Sequence, residues 1–362
     1  MHSRLARPLA LAAFALLTWS GAARAATDPF HAGATARETK TDSAALRNHG
    51  NAAVRMLVWY PAPATAAETL VANPVFVSGR VAADAPWADA AKHPVVLLSH
   101  GFGGIGLQMT WLGSALARAG YVAIAVDHPG TNGIDGITPE GAYAPWERTG
   151  DLVAALDAAL ADKTLAPHLD AARVGMAGFS MGGFTGALLA GARTDFAAFD
   201  AFCASPARDA ICNKQQEFPL DYREAAKTLA TPALAAVAAR EHADLSDARI
   251  RAVFLIDPAL GPALDAKSLA RVRVPVAVVY GTIDPVAPPA SNGQAIARAI
   301  PGAQAIALPG VGHYDFLSEC GEAGAKAAAA YCTDGPGASR AQTHATTVAA
   351  ALKFFGETLA PR

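Results

Sequence analysis

The sequence predicts an α/β protein with a mostly parallel central sheet flanked by helices. Three observations indicate this fold class. An apolar run at 173–177 leads into the motif GFSMG at 178–182, and a helix-prone stretch follows. A second apolar run, 94–99, ends in the glycine-rich loop HGFGG. Two later runs, 274–280 and 303–308, end in loops that carry an acid and a histidine, and such strands alternating with helices are typical of a parallel sheet.

The remaining elements follow from local patterns. We expect residues 26–50, which are polar, to form an irregular extended arm, and 54–60 to form an edge strand that two prolines end. Residues 62–93 are loop-rich, with room for one further strand near 75–77. Helices are predicted over 107–119 and 146–161, with a strand at 122–126 between them.

Ser180 is the candidate nucleophile. It is the central residue of G-x-S-x-G, between a predicted strand and a predicted helix, where a sharp turn projects the hydroxyl above the sheet edge. The alternative is a turn serine without chemistry.

Two backbone N–H groups are candidates for an oxyanion hole. The first belongs to Phe102, in the glycine-rich loop after the strand at 94–99, and the second to Met181, directly after the serine. Such donors stabilise the negative oxygen that develops during acyl transfer. The alternative for the loop is a tight turn that requires glycine.

His313 and Asp284 complete a predicted triad. A serine hydroxyl is a weak nucleophile unless a base takes its proton, and the base needs a carboxylate on its other ring nitrogen. Asp284 follows the strand at 274–280, and His313 follows the strand at 303–308. Ser180, Asp284 and His313 occur in the chain order of serine, acid and histidine.

With these motifs the chain resembles an α/β-hydrolase. The stretches VVLLSHGFGG, VAIAVDHPG, VGMAGFSMGG, PVAVVYGTIDPVAPP and LPGVGHYDF carry the resemblance over residues 95–316. Within the fold it is similar to dienelactone-hydrolase-like and platelet-activating-factor-acetylhydrolase-like bacterial esterases, and more distantly to cutinase-like polyester hydrolases. The acetylhydrolase resemblance implies an alternative acid, Asp257, because those enzymes place the acid after an earlier strand. The acid that is not used would be a loop carboxylate that fixes a turn.

A helical insertion is predicted before the sixth strand of the fold. Residues 195–248 separate the helix after Ser180 from the strand at 251–256, a longer connection than a typical crossover. We expect a helical stretch at 222–241 and interpret the insertion as a cap that favours acetyl to butyryl esters. The alternative is a peripheral insertion away from the site.

The first 25 residues have the pattern of a signal peptide. A basic start precedes an apolar run and the tripeptide Ala23-Arg24-Ala25, which predicts cleavage near Ala25. Residues 26–362 then form one hydrolase domain, periplasmic or secreted, without a stable membrane insertion. Cleavage removes three arginines and leaves 26 basic residues against 31 acidic ones, a net charge of −5, which disfavours nucleic acid as a partner.

Four cysteines are the candidates for disulfide bonds. Cys203 and Cys212 are nine residues apart, and Cys320 and Cys332 are twelve apart. In an oxidising compartment two local bridges are the natural pairing, although three connectivities are open and free buried thiols are the alternative. Zinc-ligand spacing is absent.

Together these features predict a serine hydrolase that cleaves carboxylic esters through an acyl-enzyme. The expected substrate is a small-molecule or lipid ester, and neither a cofactor nor a metal is implied. Two alternatives are an acyltransferase that uses the same acyl-enzyme and a non-catalytic binding protein on a hydrolase scaffold.

Overall fold

The computed structural model describes residues 29–361, so the expected signal peptide lies outside the described part. In chain order the strands are β1 (His31–Lys40), β2 (Ala53–Ala62), β3 (Thr69–Ala72), β4 (Phe76–Ala83), β5 (His93–Ser99), β6 (Val122–Val126), β7 (Thr131–Asn132), β8 (Gly136–Ile137), β9 (Leu169–Phe179), β10 (Ile250–Ile256), β11 (Val276–Gly281), β12 (Gln304–Leu308) and β13 (Glu319–Cys320).

The α-helices are short except for two that pack against the sheet. In chain order they are α1 (Asp42–Arg47), α2 (Thr110–Arg118), α3 (Pro139–Ala142), α4 (Arg148–Ala161), α5 (Met181–Leu189), α6 (Phe196–Ala204), α7 (Ala225–Leu229), α8 (Ala235–Ala238), α9 (Ala266–Leu269), α10 (Gly293–Ala299), α11 (Glu322–Ala327), α12 (Ala329–Cys332) and α13 (Arg340–Thr358). Among residues 29–361 we find no helix with the length and apolar character needed to cross a bilayer.

One eleven-stranded sheet organises the molecule. Its order is β12-β11-β10-β9-β5-β6-β2-β1-β4-β13, with β3 beside β4. The strands from β12 to β6 are all parallel, and β2 joins β6 in the antiparallel direction. The central strands are apolar along their length because both faces are covered, by α2 and α13 on one side and by α4, α5 and α10 on the other. The expected mostly parallel α/β fold is therefore confirmed.

The N-terminal region differs from the expectation. Residues 31–40, expected as an irregular arm, form β1, and β1 pairs with β2 over ten residues. β2 consequently lies inside the sheet, between β6 and β1, and is not an edge strand. The segment 62–93 holds two strands, β3 and β4, where one was expected. Antiparallel pairing between strands adjacent in sequence supplies the backbone hydrogen bonds of this region. The strand β1 was not predicted because its sequence is rich in polar residues.

The insertion at 195–248 is helical but broken. The helical stretch expected over 222–241 consists of a 3-10 turn at Tyr222–Glu224 and the short helices α7 and α8, with a second 3-10 turn at Pro232–Leu234 between them. Pro232 lacks the N–H that a continuing helix would use, so α7 does not continue into α8. This segment lies before β10, as expected for the fold.

Candidate active site

Ser180 occupies the sharp turn between β9 and α5. Its backbone has φ 55° and ψ −116°, a conformation in which non-glycine residues are strained. Its N–H donates to the carbonyl of Ile256 at 2.9 Å, which ties the turn to β10. A Cβ at Gly182 would collide with the backbone carbonyl of Ser99, and one at Gly178 with that of Gly182. The two glycines of the motif are therefore required by the close approach of backbone to backbone.

The structure brings Ser180, His313 and Asp284 together. The Oγ of Ser180 lies 2.8 Å from Nε2 of His313, and Nδ1 of that ring lies 2.7 Å from Oδ2 of Asp284. All three side chains are buried. His313 begins a 3-10 turn after β12, Asp284 lies in the loop after β11, and Ser180 follows β9. These strands are parallel, with β10 between β9 and β11, so all three groups lie at one edge of the sheet.

The surroundings of Asp284 stabilise its ionised form. Its Oδ1 accepts hydrogen bonds from the N–H groups of Val286 at 2.6 Å and Ala287 at 2.9 Å. Burial opposes ionisation, but the charge of His313 and these hydrogen bonds outweigh it and lower the pKa of Asp284. Burial on its own would lower the pKa of His313, yet the carboxylates of Asp284 and Asp257 raise it well above 6.5.

Asp257 was expected as the alternative acid, and the structure places it at the same imidazole. Its Oδ2 lies 3.2 Å from Nδ1 of His313, and its Oδ1 accepts from the N–H of Gly281 at 3.1 Å. Burial first, and then the charge of Asp284, raise the pKa of Asp257 to about 7. The two acids that the sequence offered as alternatives therefore both face one histidine.

Phe102 and Met181 line the same cavity as Ser180. The carbonyl of Gly101 accepts hydrogen bonds from Nδ1 of His100 at 2.6 Å and from the N–H of Gly104 at 3.2 Å. In a trans peptide the N–H points opposite the carbonyl. Because the carbonyl of Gly101 is held by these two donors, the N–H of Phe102, in the same peptide, points away from His100 Nδ1 and Gly104. Within residues 29–361 the N–H groups of Phe102 and Met181 donate to no protein acceptor. Both remain free for a ligand oxygen.

Two cavities meet at Ser180. The larger has a volume of about 600 Å³ and is bordered by Phe102, Met181 and much of the insertion. The smaller, about 380 Å³, is bordered by His313, Phe179 and Tyr314. The wall of the larger cavity contains six aromatic side chains from several elements: Phe102, Tyr143, Phe196, Phe199, Phe218 and Tyr222. Charged residues also border it: Asp200, Lys214, Glu217, Asp221 and Arg223.

Hydrogen bonds fix the insertion against the body of the molecule, and a disulfide bond closes a loop within it. The hydroxyl of Tyr143 donates to the carbonyl of Asp221 at 2.6 Å, and the indole N–H of Trp146 donates to the carbonyl of Val237 at 3.0 Å. The Cys203–Cys212 bridge lies in the wall of the larger cavity. The insertion therefore borders the serine and is not remote from it.

The second disulfide braces the region that follows His313. Cys320, in β13, is bonded to Cys332, at the end of α12. The ring of Tyr314 packs edge-on against Tyr331, 5.0 Å between centroids, and its hydroxyl donates to Glu217 at 2.7 Å. The two local pairings were those expected, and the described residues contain no free cysteine.

The cluster of Asp257, Asp284 and His313 offers three potential metal-ligand atoms within 4.8 Å of one another. The short distance between the Asp284 and His313 atoms fits a direct hydrogen bond better than two ligands of one metal ion. The Asp284 oxygen and the His313 nitrogen are 2.7 Å apart, whereas two ligands of one tetrahedral zinc ion lie about 3.4 Å apart.

Sequence reasoning missed a second, buried cluster next to the glycine-rich loop at 100–104. His128 lies between Ser99, whose Oγ is 2.9 Å from Nε2, and Asp151, whose Oδ2 is 2.9 Å from Nδ1. Arg47 binds Asp151 through both terminal nitrogens, at 2.6 and 3.2 Å, and Arg148 contacts Ser99. The five side chains are buried. The available signal was polar residues in otherwise apolar elements, such as Arg148 and Asp151 on the core helix α4.

Comparison with known proteins agrees with this architecture. The sequence profile described as "Alpha/beta hydrolase family" matches residues 95–328, and the chain belongs to that family. The α/β-hydrolase fold expected from the motifs is thereby confirmed.

Two solved structures illustrate the likeness of the fold. A ferulic acid esterase from Streptomyces cinnamoneus is 19% identical, with a TM-score of 0.57 over 91% of this chain and 90% of that one. A puromycin-hydrolyzing peptidase from Mycobacterium tuberculosis is 16% identical, with a TM-score of 0.50 over 90% of this chain and 40% of that one. No curated protein sequence matches the chain.

Proposed function

We propose that the protein is a serine hydrolase that cleaves carboxylic esters. One observation carries the proposal: the hydroxyl of Ser180 is 2.8 Å from a histidine whose other nitrogen is 2.7 Å from a buried carboxylate, and this serine borders two cavities. A nucleophile, a base and an orienting acid in hydrogen-bond contact meet the geometric requirements of acyl transfer. The same fold in a ferulic acid esterase is consistent with ester chemistry.

In the proposed reaction Nε2 of His313 takes the proton of Ser180, and Oγ attacks the ester carbonyl. The resulting oxyanion accepts hydrogen bonds from the N–H groups of Phe102 and Met181. Asp284 holds the ring with its proton on Nδ1 and stabilises the imidazolium. The alkoxide leaves with the proton from Nε2, and water, activated by His313, then hydrolyses the acyl-enzyme and restores Ser180.

The two cavities suggest which side of the ester each holds. The leaving oxygen receives its proton from His313, so we assign the smaller cavity, which His313 borders, to the alcohol. The acyl group then extends past Met181 into the larger cavity. With about 600 Å³ and six aromatic side chains in its wall, this cavity favours a bulky apolar acyl group. The acetyl to butyryl preference expected of a cap is the competing outcome.

A secreted or periplasmic location is part of the proposal. It rests on the signal-peptide pattern at residues 1–25 and on the two disulfides, which form in oxidising compartments. Assignment to the dienelactone-hydrolase-like or acetylhydrolase-like esterases likewise remains a proposal, supported by the quoted motifs.

Labelling with a fluorophosphonate tests the chemistry. We expect one phosphonylated peptide, containing Ser180, in the wild type and in the control Ser246→Ala, which alters an exposed serine. Labelling elsewhere, or none, would contradict the proposal. If added alcohols were converted to esters in preference to hydrolysis, the protein would be an acyltransferase instead.

An acyl series tests the assignment of the cavities. We expect p-nitrophenyl benzoate and octanoate to be cleaved with higher kcat/KM than the acetate. Phe218→Ala should change that ratio by about tenfold, because one pocket contact contributes about 1–3 kcal/mol to discrimination. Leu70→Ala, at an exposed apolar side chain, is the control. An acetyl to butyryl optimum that Phe218→Ala leaves unchanged would refute the assignment.

A further inference from the structure

Asp257 is a buried carboxylate that the proposed reaction does not use. It follows β10, and its side chain is 2% exposed. Oδ1 accepts from the N–H of Gly281, but Oδ2 has no geometrically satisfactory hydrogen-bond partner among residues 29–361. The Nδ1 atom of His313 lies 3.2 Å from Oδ2. A buried carboxylate oxygen without a donor is costly, so its position calls for an explanation.

The backbone holds Asp257 in this position. Its φ is +43°, in the left-handed region that non-glycine residues rarely adopt. Its N–H donates to the carbonyl of Val279 at 2.7 Å, and the N–H of Ala259, two residues on, donates to the carbonyl of Ser180 at 3.2 Å. Strain of this kind persists where the surrounding structure enforces it, and it clusters at functional sites.

The charges around Asp257 explain how two acids can share one ring. The titratable groups that face it are Asp284, from the loop after β11, and His313, from the loop after β12; the neighbouring turn of Ser180 brings no charge. The single N–H group at Nδ1 of His313 donates its hydrogen bond to Asp284, the closer acceptor. Two ionised carboxylates beside the same ring repel each other. Asp257 accepts fewer hydrogen bonds than Asp284, so Asp257 is the acid that retains a proton to higher pH.

We propose, as a deepening of the esterase proposal on which it rests, that Asp257 is a second positioning residue for His313: it shares the Nδ1 side of the ring with Asp284 and becomes the orienting acid when the Asp284 carboxylate is removed.

Two consequences distinguish this role from a merely structural one. Removing the negative charge that Asp257 acquires on ionisation makes the imidazolium less stable, so the pKa of His313 falls in Asp257→Asn. The ascending limb of the kcat/KM profile, where His313 becomes a neutral base, then moves to lower pH, by about one unit. In addition, the losses caused by substitution at the two acids are not independent.

The experiment measures kcat/KM for a p-nitrophenyl ester from pH 5 to 10 in the wild type, the two single acid variants, the double variant, and the controls Asp170→Asn and Ser180→Ala. We expect Asp257→Asn to stay within about tenfold of the wild type, Asp284→Asn to fall by about 10²-fold, and the double variant to approach the roughly 10⁴-fold loss that follows when the histidine has no orienting carboxylate. Asp170→Asn, which neutralises an acid at the far end of β9, should leave the profile unshifted.

The outcomes separate the two proposals. If Ser180→Ala is inactive but Asp257→Asn leaves the limb unshifted, or the double variant is no slower than Asp284→Asn, the role of Asp257 is refuted and the esterase proposal stands. If Ser180→Ala keeps wild-type activity, the esterase proposal fails and this inference with it. The profile of Asp257→Asn gives a decision even where the Asp284 variants do not fold.

Discussion

The molecule contains two Ser–His–Asp arrangements with nearly the same hydrogen-bond distances. In the first, Ser180, His313 and Asp284 are joined at 2.8 and 2.7 Å, and in the second, Ser99, His128 and Asp151 are joined at 2.9 and 2.9 Å. Distances alone therefore do not distinguish a candidate catalytic triad from a structural hydrogen-bond network.

Their surroundings differ in three physical respects. Ser180 borders two cavities, whereas neither cavity reaches Ser99. Ser180 has a strained positive φ, and among residues 29–361 its hydroxyl has one side-chain hydrogen-bond partner, the histidine ring, whereas the hydroxyl oxygen of Ser99 also accepts from Arg148. The first histidine faces two carboxylates, and the second lies near two arginines.

The second arrangement contacts the glycine-rich loop at 100–104. Arg148 donates to the carbonyl of His100 as well as to Ser99, and the N–H of His128 donates to Nε2 of His100 at 3.1 Å. His100 in turn holds the carbonyl of Gly101. The buried network thus supports the Gly101–Phe102 peptide, whose N–H is the proposed oxyanion donor.

Replacing the two serines gives the largest expected difference. Ser180→Ala should lower kcat for ester hydrolysis by at least about 10⁴-fold without unfolding the protein, because the nucleophile is lost. Ser99→Ala should keep kcat within about tenfold but destabilise the fold by about 1–3 kcal/mol, since His128 and Arg148 lose a buried partner. Steady-state kinetics and urea unfolding measure both. Equal catalytic losses would show that the comparison is wrong.

The next effect is on stability. Asp151→Asn should lower the free energy of unfolding by about 3–5 kcal/mol, because it leaves the buried Arg47 without its carboxylate. Asp170→Asn breaks the surface pair with Arg173 and should cost less than about 1 kcal/mol. Denaturant unfolding at pH 7 compares them. A small loss at Asp151 would mean that the buried cluster is not a principal support of the fold.

The disulfide near His313 should have a smaller effect. Cys320→Ser with Cys332→Ser opens a short loop, which costs about 2–3 kcal/mol on the chain-entropy estimate. Protein made in an oxidising compartment should show no free thiol after denaturation without reductant. Two or more titratable thiols, or an unchanged free energy of unfolding in the double variant, would contradict this assignment.

The smallest expected effects are on titration. Acids raise the pKa of His313, so kcat/KM should rise with pH through an ionisation above 6.5, where the neutral base form appears. Burial, with Arg148 and Arg47, lowers the pKa of His128 well below 6.5, so its ring should stay neutral over the same range. Imidazole NMR resonances, assigned with single His→Gln variants, would report both. If His128 titrated near pH 7, the predicted difference between the pKa values of the two histidines would be wrong.

Much of the candidate site could be predicted because its residues lie in distinctive local patterns. The G-x-S-x-G turn, the glycine-rich loop and the loops with Asp284 and His313 each follow an apolar strand, and parallel strands bring such loops to one edge. The boundaries of β5, β6 and β10 could be predicted to within one residue, because each of these buried strands is a continuous apolar run. The strand β1 escaped prediction because its exposed face is polar and its pairing with β2 is a tertiary property.

The sequence by itself therefore determined the fold class, the order of serine, acid and histidine, and the two local cysteine pairs as the natural choice. These depend on hydrophobic periodicity, turn chemistry and short spacing, which are local. Only the tertiary structure decided that Asp257 and Asp284 face the same ring, and that Ser99, His128 and Asp151 form a buried network. The members of both sets are far apart in the chain, and their contacts depend on the register of strands and the packing of α4, which no local pattern specifies.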